Sequence, residues 1–383
     1  MPPSTIIHSA RIVSNGSVTD DGWVRFDGDR LSARGVGRSW EARPGDEVVD
    51  AGGRHLTPGF IDIHVHGGGG AAFDDGADAI ARALAMHRRH GTTRAVISLV
   101  TAPIEALERR VAEIAALTRR DDAVLGSHLE GPFLADSHRG AHDPALLHSP
   151  DQASIERLLE AADGTLTQVT LAPELPGALD ATRSLVAAGS RVAVGHTGAS
   201  ADEARAAFDV GATILTHAFN GMRGIHHRAP GPVTAALATD GITLEIIDDG
   251  VHVHADVVNL AFTAAPGRIA LVSDAMAAAG AADGPYDLGS LRVSVTDGVA
   301  RLVDGGAIAG STLTLGVAVR NAIAHGIPLA TAVAAASIVP ARAIGRGDEL
   351  GALEVGYAAD AVLLDDDLEA VRVWSAGDSV FAV

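Results

Sequence analysis

Eight short apolar runs, spaced by segments long enough for helices, constrain this chain more than any other feature. They are Phe60 to Val65, Arg94 to Val100, Val124 to Leu129, Leu166 to Leu171, Arg191 to Val194, Thr213 to Thr216, Ile242 to Ile247 and Arg268 to Val272. Runs of this length without polar alternation read as strands buried on both faces. The segments between them are alanine-rich and carry helical spacing, as in Leu84 with His87, or Ile155 with Leu158, Leu159 and Ala162. Ser149-Pro150-Asp151-Gln152 and Ser200-Ala201-Asp202-Glu203 read as serine-capped helix starts, the first with Pro150 at the first helical position. Strands that alternate with helices pair in parallel, and eight of them point to a closed α/β barrel of the (β/α)8, TIM type.

The flanks read differently. Ile6-Ile7, Arg11 to Val13, Trp23 to Phe26 and Glu47 to Val49 are short strands broken by Gly, Asp and Asn, and β pattern returns at Ala361 to Leu364, Val371 to Trp374 and Val380 to Val383. The expected organisation is a small β-sandwich built from residues 1–57 and 350–383, with the barrel in 58–349. Asp297-Gly298 between two β runs marks a hairpin inserted near 285–306.

Composition removes several function classes. The chain has no cysteine, which excludes thiolate nucleophiles and cysteine-bound metals. It has no lysine either, which excludes Schiff-base chemistry, a Walker-type phosphate loop and a carbamylated-lysine metal bridge. The formal charge of -19 argues against nucleic acid and anionic membrane as partners. No apolar run reaches the ~18 residues of a membrane span, and the N-terminus shows no secretory pattern, so the expected location is cytoplasmic.

The chemistry sits where the runs end. Run one ends in Asp62-Ile63-His64-Val65-His66, run three in His128-Leu129-Glu130, run five in Gly195-His196, run six in Thr216-His217 and run eight in Ser273-Asp274. His64 and His66, two apart on a strand, share a face. Barrel enzymes gather catalytic groups at the C-terminal strand ends. Four histidines and two carboxylates there, His64, His66, His196, His217, Glu130 and Asp274, suit a divalent metal used hydrolytically: zinc foremost, with iron, manganese or cobalt also compatible. Taken alone, Asp62 reads as a backbone hydrogen-bond partner and His128 as interior packing.

These stretches carry a resemblance. Pro58 to Gly67, His128 to Phe133, Arg139 to His142, Leu171 to Glu174, Gly195 to Thr197, Thr216 to Met222, Asp249 to His252, Val272 to Ala275, Ala309 to Ser311 and Pro340 to Gly345 are similar to the N-acetylglucosamine-6-phosphate deacetylase branch of the amidohydrolase superfamily. The likeness runs over essentially the whole chain. The resemblance implies that Glu130, in place of a bridging lysine, holds the principal metal with His196 and His217. It implies that His64 and His66 could hold a second ion, one or two per subunit. It makes Asp274 the general base and acid. It places Ala141, His142, Asn220, Gly221, Arg228, Asp249, His252, Ile308, Ala309 and Gly310 around a phosphorylated N-acetyl amino sugar, with Arg228 reaching across a homodimer. Gly221 and Arg223 depart from the residues most common in that branch, alanine and proline. The same resemblance leaves the galactosamine epimer or another N-acylated amino sugar open as substrate. A non-catalytic scaffold would have lost some of these groups.

Overall fold

The computed structural model of the protein describes residues 4–383; the first three positions of the expected N-terminal β unit lie outside it. Eight parallel strands form the central sheet in sequence order: Phe60–Val65, Thr92–Val100, Val124–Glu130, Leu166–Leu171, Arg191–Val194, Ile214–Leu215, Thr243–Ile246 and Ile269–Leu271. Every residue of the first three is buried, as strands covered on both faces must be. The barrel is drawn shut between its last and first strands by two backbone bonds at the strand ends. Asp274 N donates to His64 O and His66 N donates to Ala275 O, each at 2.8 Å. Asp62 reinforces this seam, accepting from the His64 and Ser273 amides at 3.3 Å. Burial pushes its carboxyl up to about 7, against the hydrogen bonds it accepts.

The helices pack their apolar stripes on the outside of the sheet. Ile104–Thr118 buries Ile104, Leu107, Val111, Ile114 and Ala115, the three-and-four spacing of one face. Ala201–Asp209 begins with the capping box expected at Ser200 and Glu203. The start near residue 150 differs from expectation. Gln152–Ala162 is capped by Asp151, whose side chain accepts from the Ser154 amide at 2.9 Å. Ser149 is two residues too early to reach that amide.

The chain ends form one hydrogen-bonded sheet in the order Asp378–Ala382, Ala370–Ser375, Ala361–Leu364, His55–Pro58, Ser4–Ser14, Ser17–Asp27 and Arg30–Val36, with Glu47–Asp50 also paired to Ser4–Ser14. Phe26 and Trp374 sit four strands apart in that order, roughly 19 Å in a flat sheet. Their rings are 6.5 Å apart, so the sheet folds over on itself and sandwiches a second core with Ile7, Leu31, Leu56 and Leu363. A buried pair ties this sheet to the barrel: Arg94 meets Asp360 at 2.6 Å and 3.1 Å. The insertion has three strands rather than two, Gly284–Leu288, Leu291–Thr296 and Val299–Leu302, and packs Leu288, Val293 and Val295 against Met276 and Ala309 at the strand-end face of the barrel.

His87, on helix Ala77–Arg88, is buried beneath the strand-one end and donates through Nε2 to Gly67 O at 2.9 Å. Burial lowers its pKa to about 4, so the folded chain refuses a proton that the unfolded chain takes up near 6.5. Stability from the neutral ring is therefore complete above pH 6.5 and is lost as pH falls toward 4, about 3 kcal/mol in all. A His87→Gln variant should close its stability gap to the parent across that window. Urea midpoints of the two proteins between pH 7.5 and 4.5 measure it; a gap independent of pH would contradict the assignment.

Candidate metal centre

Glu130 ends the third barrel strand, and its carboxylate is the hub of the site. Oε1 lies 3.1 Å from Nε2 of His196 and of His217 and 3.2 Å from His64 Nε2; Oε2 lies 3.2 Å from His66 Nε2 and 3.4 Å from His142 Nε2. The imidazoles also crowd one another, with 3.0 Å between Nε2 of His196 and His217 and 3.2 Å between Nε2 of His64 and His66. Asp274 Oδ1 stands 3.4 Å from His66 and 3.6 Å from His64. The expected ligands and Asp274 thus meet at one end of the barrel, from strands one, three, five, six and eight.

The backbone is bent to achieve this. His196, His217 and Asp274 follow their strands with φ of 47°, 25° and 48°, the left-handed region that costs non-glycine residues about 1–3 kcal/mol each. Gly221, at φ 58°, supplies room nearby: a Cβ there would stand 3.0 Å from His196 Nδ1. That nitrogen instead donates to His138 O at 2.9 Å, which leaves a lone pair on His196 Nε2.

The donor set fits a divalent cation. Ligand-to-zinc distances near 2.0–2.2 Å put two donors of a tetrahedral ion about 3.3–3.6 Å apart, within a few tenths of an ångström of the spacings around Glu130 Oε1. His66 Nδ1 and His217 Nδ1 are buried and have no partner among the described residues, so only their Nε2 atoms are engaged, and these point at the hub. The groups also hold one another's charge. Burial opposes ionisation of His64, yet Glu130, Asp274 and Glu245 raise it well above the usual range. His66 reaches about 9 against its own burial, through Asp274 and Glu130. Glu130 falls well below the carboxylate range and Asp274 to about 2, burial being outweighed by the neighbouring histidines, His64 foremost. A cation entering this set competes with those protons, so binding releases them.

A cavity of about 250 Å3 opens over the hub. His142, Ala141, Asn220, Gly221, His252, Ile308 and Gly310 line it with the ligand histidines His66, His196 and His217 and with Asp274. His64 lies deeper and is fully buried. Three of the expected contacts sit elsewhere. Ala309 is packed into the core under the inserted sheet. Asp249 acts from behind, its Oδ2 2.7 Å from His252 Nδ1. Arg228 is exposed, on a loop whose residues 223–229 are all exposed, and faces a separate cavity of about 320 Å3 with Arg205 and Arg223. Another cavity, of about 600 Å3, lies by Ile269 at the other end of the barrel strands and has no His, Asp or Glu in its wall.

Two further groups complete the site. His128 is held through both ring nitrogens, to Ser98 and Thr170 Oγ atoms at 2.8 Å, and serves as interior packing against His64. Glu245 was not among the expected site residues. Its Oε2 lies 3.0 Å from His64 Nδ1 and accepts from the His217 amide at 3.2 Å, while Oε1 accepts from Gln168 at 2.8 Å. The signal was present, since a carboxylate in the middle of Ile242 to Ile247 is affordable only with partners.

The amidohydrolase family model matches residues 55–380. The chain belongs to the amidohydrolase family. Over 365 residues it is 40% identical to N-acetylgalactosamine-6-phosphate deacetylase of Escherichia coli O157:H7, covering 94% of this chain and 96% of the relative. It is 37% identical to N-acetylglucosamine-6-phosphate deacetylase of Vibrio furnissii, covering 90% and 87%. Among solved structures it is similar to a mutant of the Mycobacterium smegmatis N-acetyl-D-glucosamine-6-phosphate deacetylase in complex with N-acetyl-D-glucosamine-6-phosphate. The TM-score is 0.94, with 42% identity over 99% of this chain and 100% of that one.

Loss of an outer partner of a ligating imidazole typically weakens metal binding about 10–100-fold. Glu245→Gln should lower zinc affinity by that range in competition with a chromogenic chelator; an affinity equal to the parent would show that Glu245 does not orient the ligands.

Proposed function

We propose that the protein hydrolyses the N-acetyl group of N-acetylglucosamine 6-phosphate, giving acetate and glucosamine 6-phosphate. The observation that carries this reading is the joint placement of the Glu130 histidine hub and Asp274 on one small cavity. The near-complete match to deacetylases of phosphorylated amino sugars supports it. Glu130, His196 and His217 would hold a divalent ion, zinc first among the candidates, and His64 and His66 with Glu130 a second one. Such an ion polarises an acyl carbonyl and acidifies water.

The chain's own groups do the rest. Asp274 is ionised at neutral pH, and its carboxylate takes a proton from water as the oxygen attacks the acyl carbon. The same carboxyl returns the proton to the amide nitrogen as the C–N bond breaks, so the amine leaves neutral. His142 and His252 contact the acyl group or the sugar, and Asp249 holds the His252 ring. Asn220 and Gly221 form the phosphate end of the cavity. Arg228 lies off its own subunit's cavity, which favours a homodimer in which each copy lends Arg228 to the other. Phosphate charge keeps such a sugar from crossing a bilayer, and no helix among the described residues is long and apolar enough to span one; we place the reaction in the cytoplasm.

A second reading keeps the chemistry and changes the epimer, because one relative at 40% identity acts, by its name, on N-acetylgalactosamine 6-phosphate. Acetate release from both phosphorylated epimers decides between them by kcat/KM, and no turnover of either would end the proposal. Asp274→Asn should retain metal and lose about 10²- to 10⁴-fold in kcat. Arg228→Ala should raise KM for the phosphorylated sugar with little change for its unphosphorylated counterpart; an equal effect on both would remove Arg228 from the phosphate.

A further inference from the structure

The cavity by Ile269, at the end of the barrel away from the metal centre, does not stand alone. Its wall is mostly apolar, with Phe262, Pro266, Ile327, Pro328, Ile338 and Val339 in it. A second cavity, of about 270 Å3, adjoins it: Gly267, Val339 and Arg342 stand in both walls. The second one is polar. Thr213, Thr243 and three arginines, Arg191, Arg268 and Arg342, line it, and its wall holds no Asp or Glu. Arg191 and Thr243 open the fifth and seventh barrel strands, and Arg268 directly precedes the eighth, so this charge sits where strands begin.

Three guanidiniums on one small cavity repel one another. Arg191 and Arg268 are half-buried, which makes an unpaired charge costlier still. The chain has carboxylates in excess, 48 acidic residues against 29 basic ones, and elsewhere sets them against its buried arginines: Arg25 meets Asp46 and Arg94 meets Asp360. In this cavity the partners are neutral. Arg268 is clamped by the carbonyls of Ala236, Leu237, Thr239 and Ile242 at 2.9–3.1 Å. Arg342 Nη2 donates to Asn15 Oδ1 at 3.1 Å. Arg191 Nε is buried with no hydrogen-bond partner. Its guanidinium has room only because residue 345 is a glycine, at φ 79°; a Cβ there would run into Arg191 Nη2. These contacts hold the cations in place and leave their charge uncancelled.

We propose that the two cavities form one binding site for a small amphipathic phosphate monoester. The phosphate sits among Arg191, Arg268 and Arg342, and the apolar body lies along the adjoining wall of Phe262, Ile327 and Val339. Arg268, its donors engaged by carbonyls, contributes charge; Arg191 and Arg342 contribute hydrogen bonds as well. Three cations suit a dianionic head with three free oxygens better than a carboxylate with two. An apolar pocket with a few convergent charged groups is the usual build of a small-molecule site. The site is separate from the metal centre and stands whatever reaction that centre performs.

Isothermal titration calorimetry of the zinc-loaded protein tests this with octyl phosphate, kept below micelle formation, beside octanoate and 1-octanol. Octyl phosphate should bind once per chain and at least about tenfold more tightly than either, the worth of a charge-assisted hydrogen bond. Arg342→Gln, at an exposed position, should weaken octyl phosphate about tenfold at unchanged zinc content. Thr331→Trp, also exposed and on the apolar wall, should weaken octyl phosphate and leave inorganic phosphate as in the parent. No binding of octyl phosphate, octanoate or 1-octanol binding equally well, or octyl phosphate binding indifferent to both substitutions would overturn the proposal; the last would place the ligand at the metal centre.

Discussion

A carboxylate enclosed by five imidazoles is tolerable only if positive charge is supplied to it. Glu130 is buried, as are His64, His66, His142, His196 and His217 around it, so water cannot provide that charge. Protons or a divalent cation must. The lone pair on His196 Nε2, fixed by the bond from its other nitrogen to His138, argues that this geometry is shaped for a cation. The pieces outside the hub serve the same end: Glu245 and Gln168 below, and Asp62 at the seam.

Barrel closure and site assembly are one event. The two bonds that join the last strand to the first run through His64, His66, Asp274 and Ala275. A fold that failed to close would separate Asp274 from the histidine pair it faces. Left-handed backbone at His196, His217 and Asp274 turns each chain out of its strand at the rim. That strain is held in place by the barrel beneath, as expected where structure is spent on function.

Much of this was legible in the sequence for identifiable reasons. Strands buried on both faces must be apolar throughout, so the eight runs stood out and matched observed strands to within a residue or two at each end. The ligands were legible because barrel geometry converts strand ends into neighbours. What stayed hidden depends on distance in space. Thr101 and His142 are 41 residues apart, with a helix, the third barrel strand and the loop after it between them, so no local pattern reveals their contact. Gly284–Leu288 carries no apolar alternation, so the third strand of the insertion was missed. The sandwich expected of the chain ends is there, but it is built from one continuous sheet folded over on itself, which shows in the Phe26–Trp374 contact and the core it encloses. Asp151 took the cap from Ser149 because one side chain reached the Ser154 amide and the other did not.

The most direct measurement is an anomalous-scattering map at the zinc edge from crystals of the zinc-loaded protein. The expected peak lies between Glu130, His196 and His217, within bonding distance of all three. Ordered crystals with those side chains in place and no peak there, or with the metal bound at a different set of residues, would contradict the central claim.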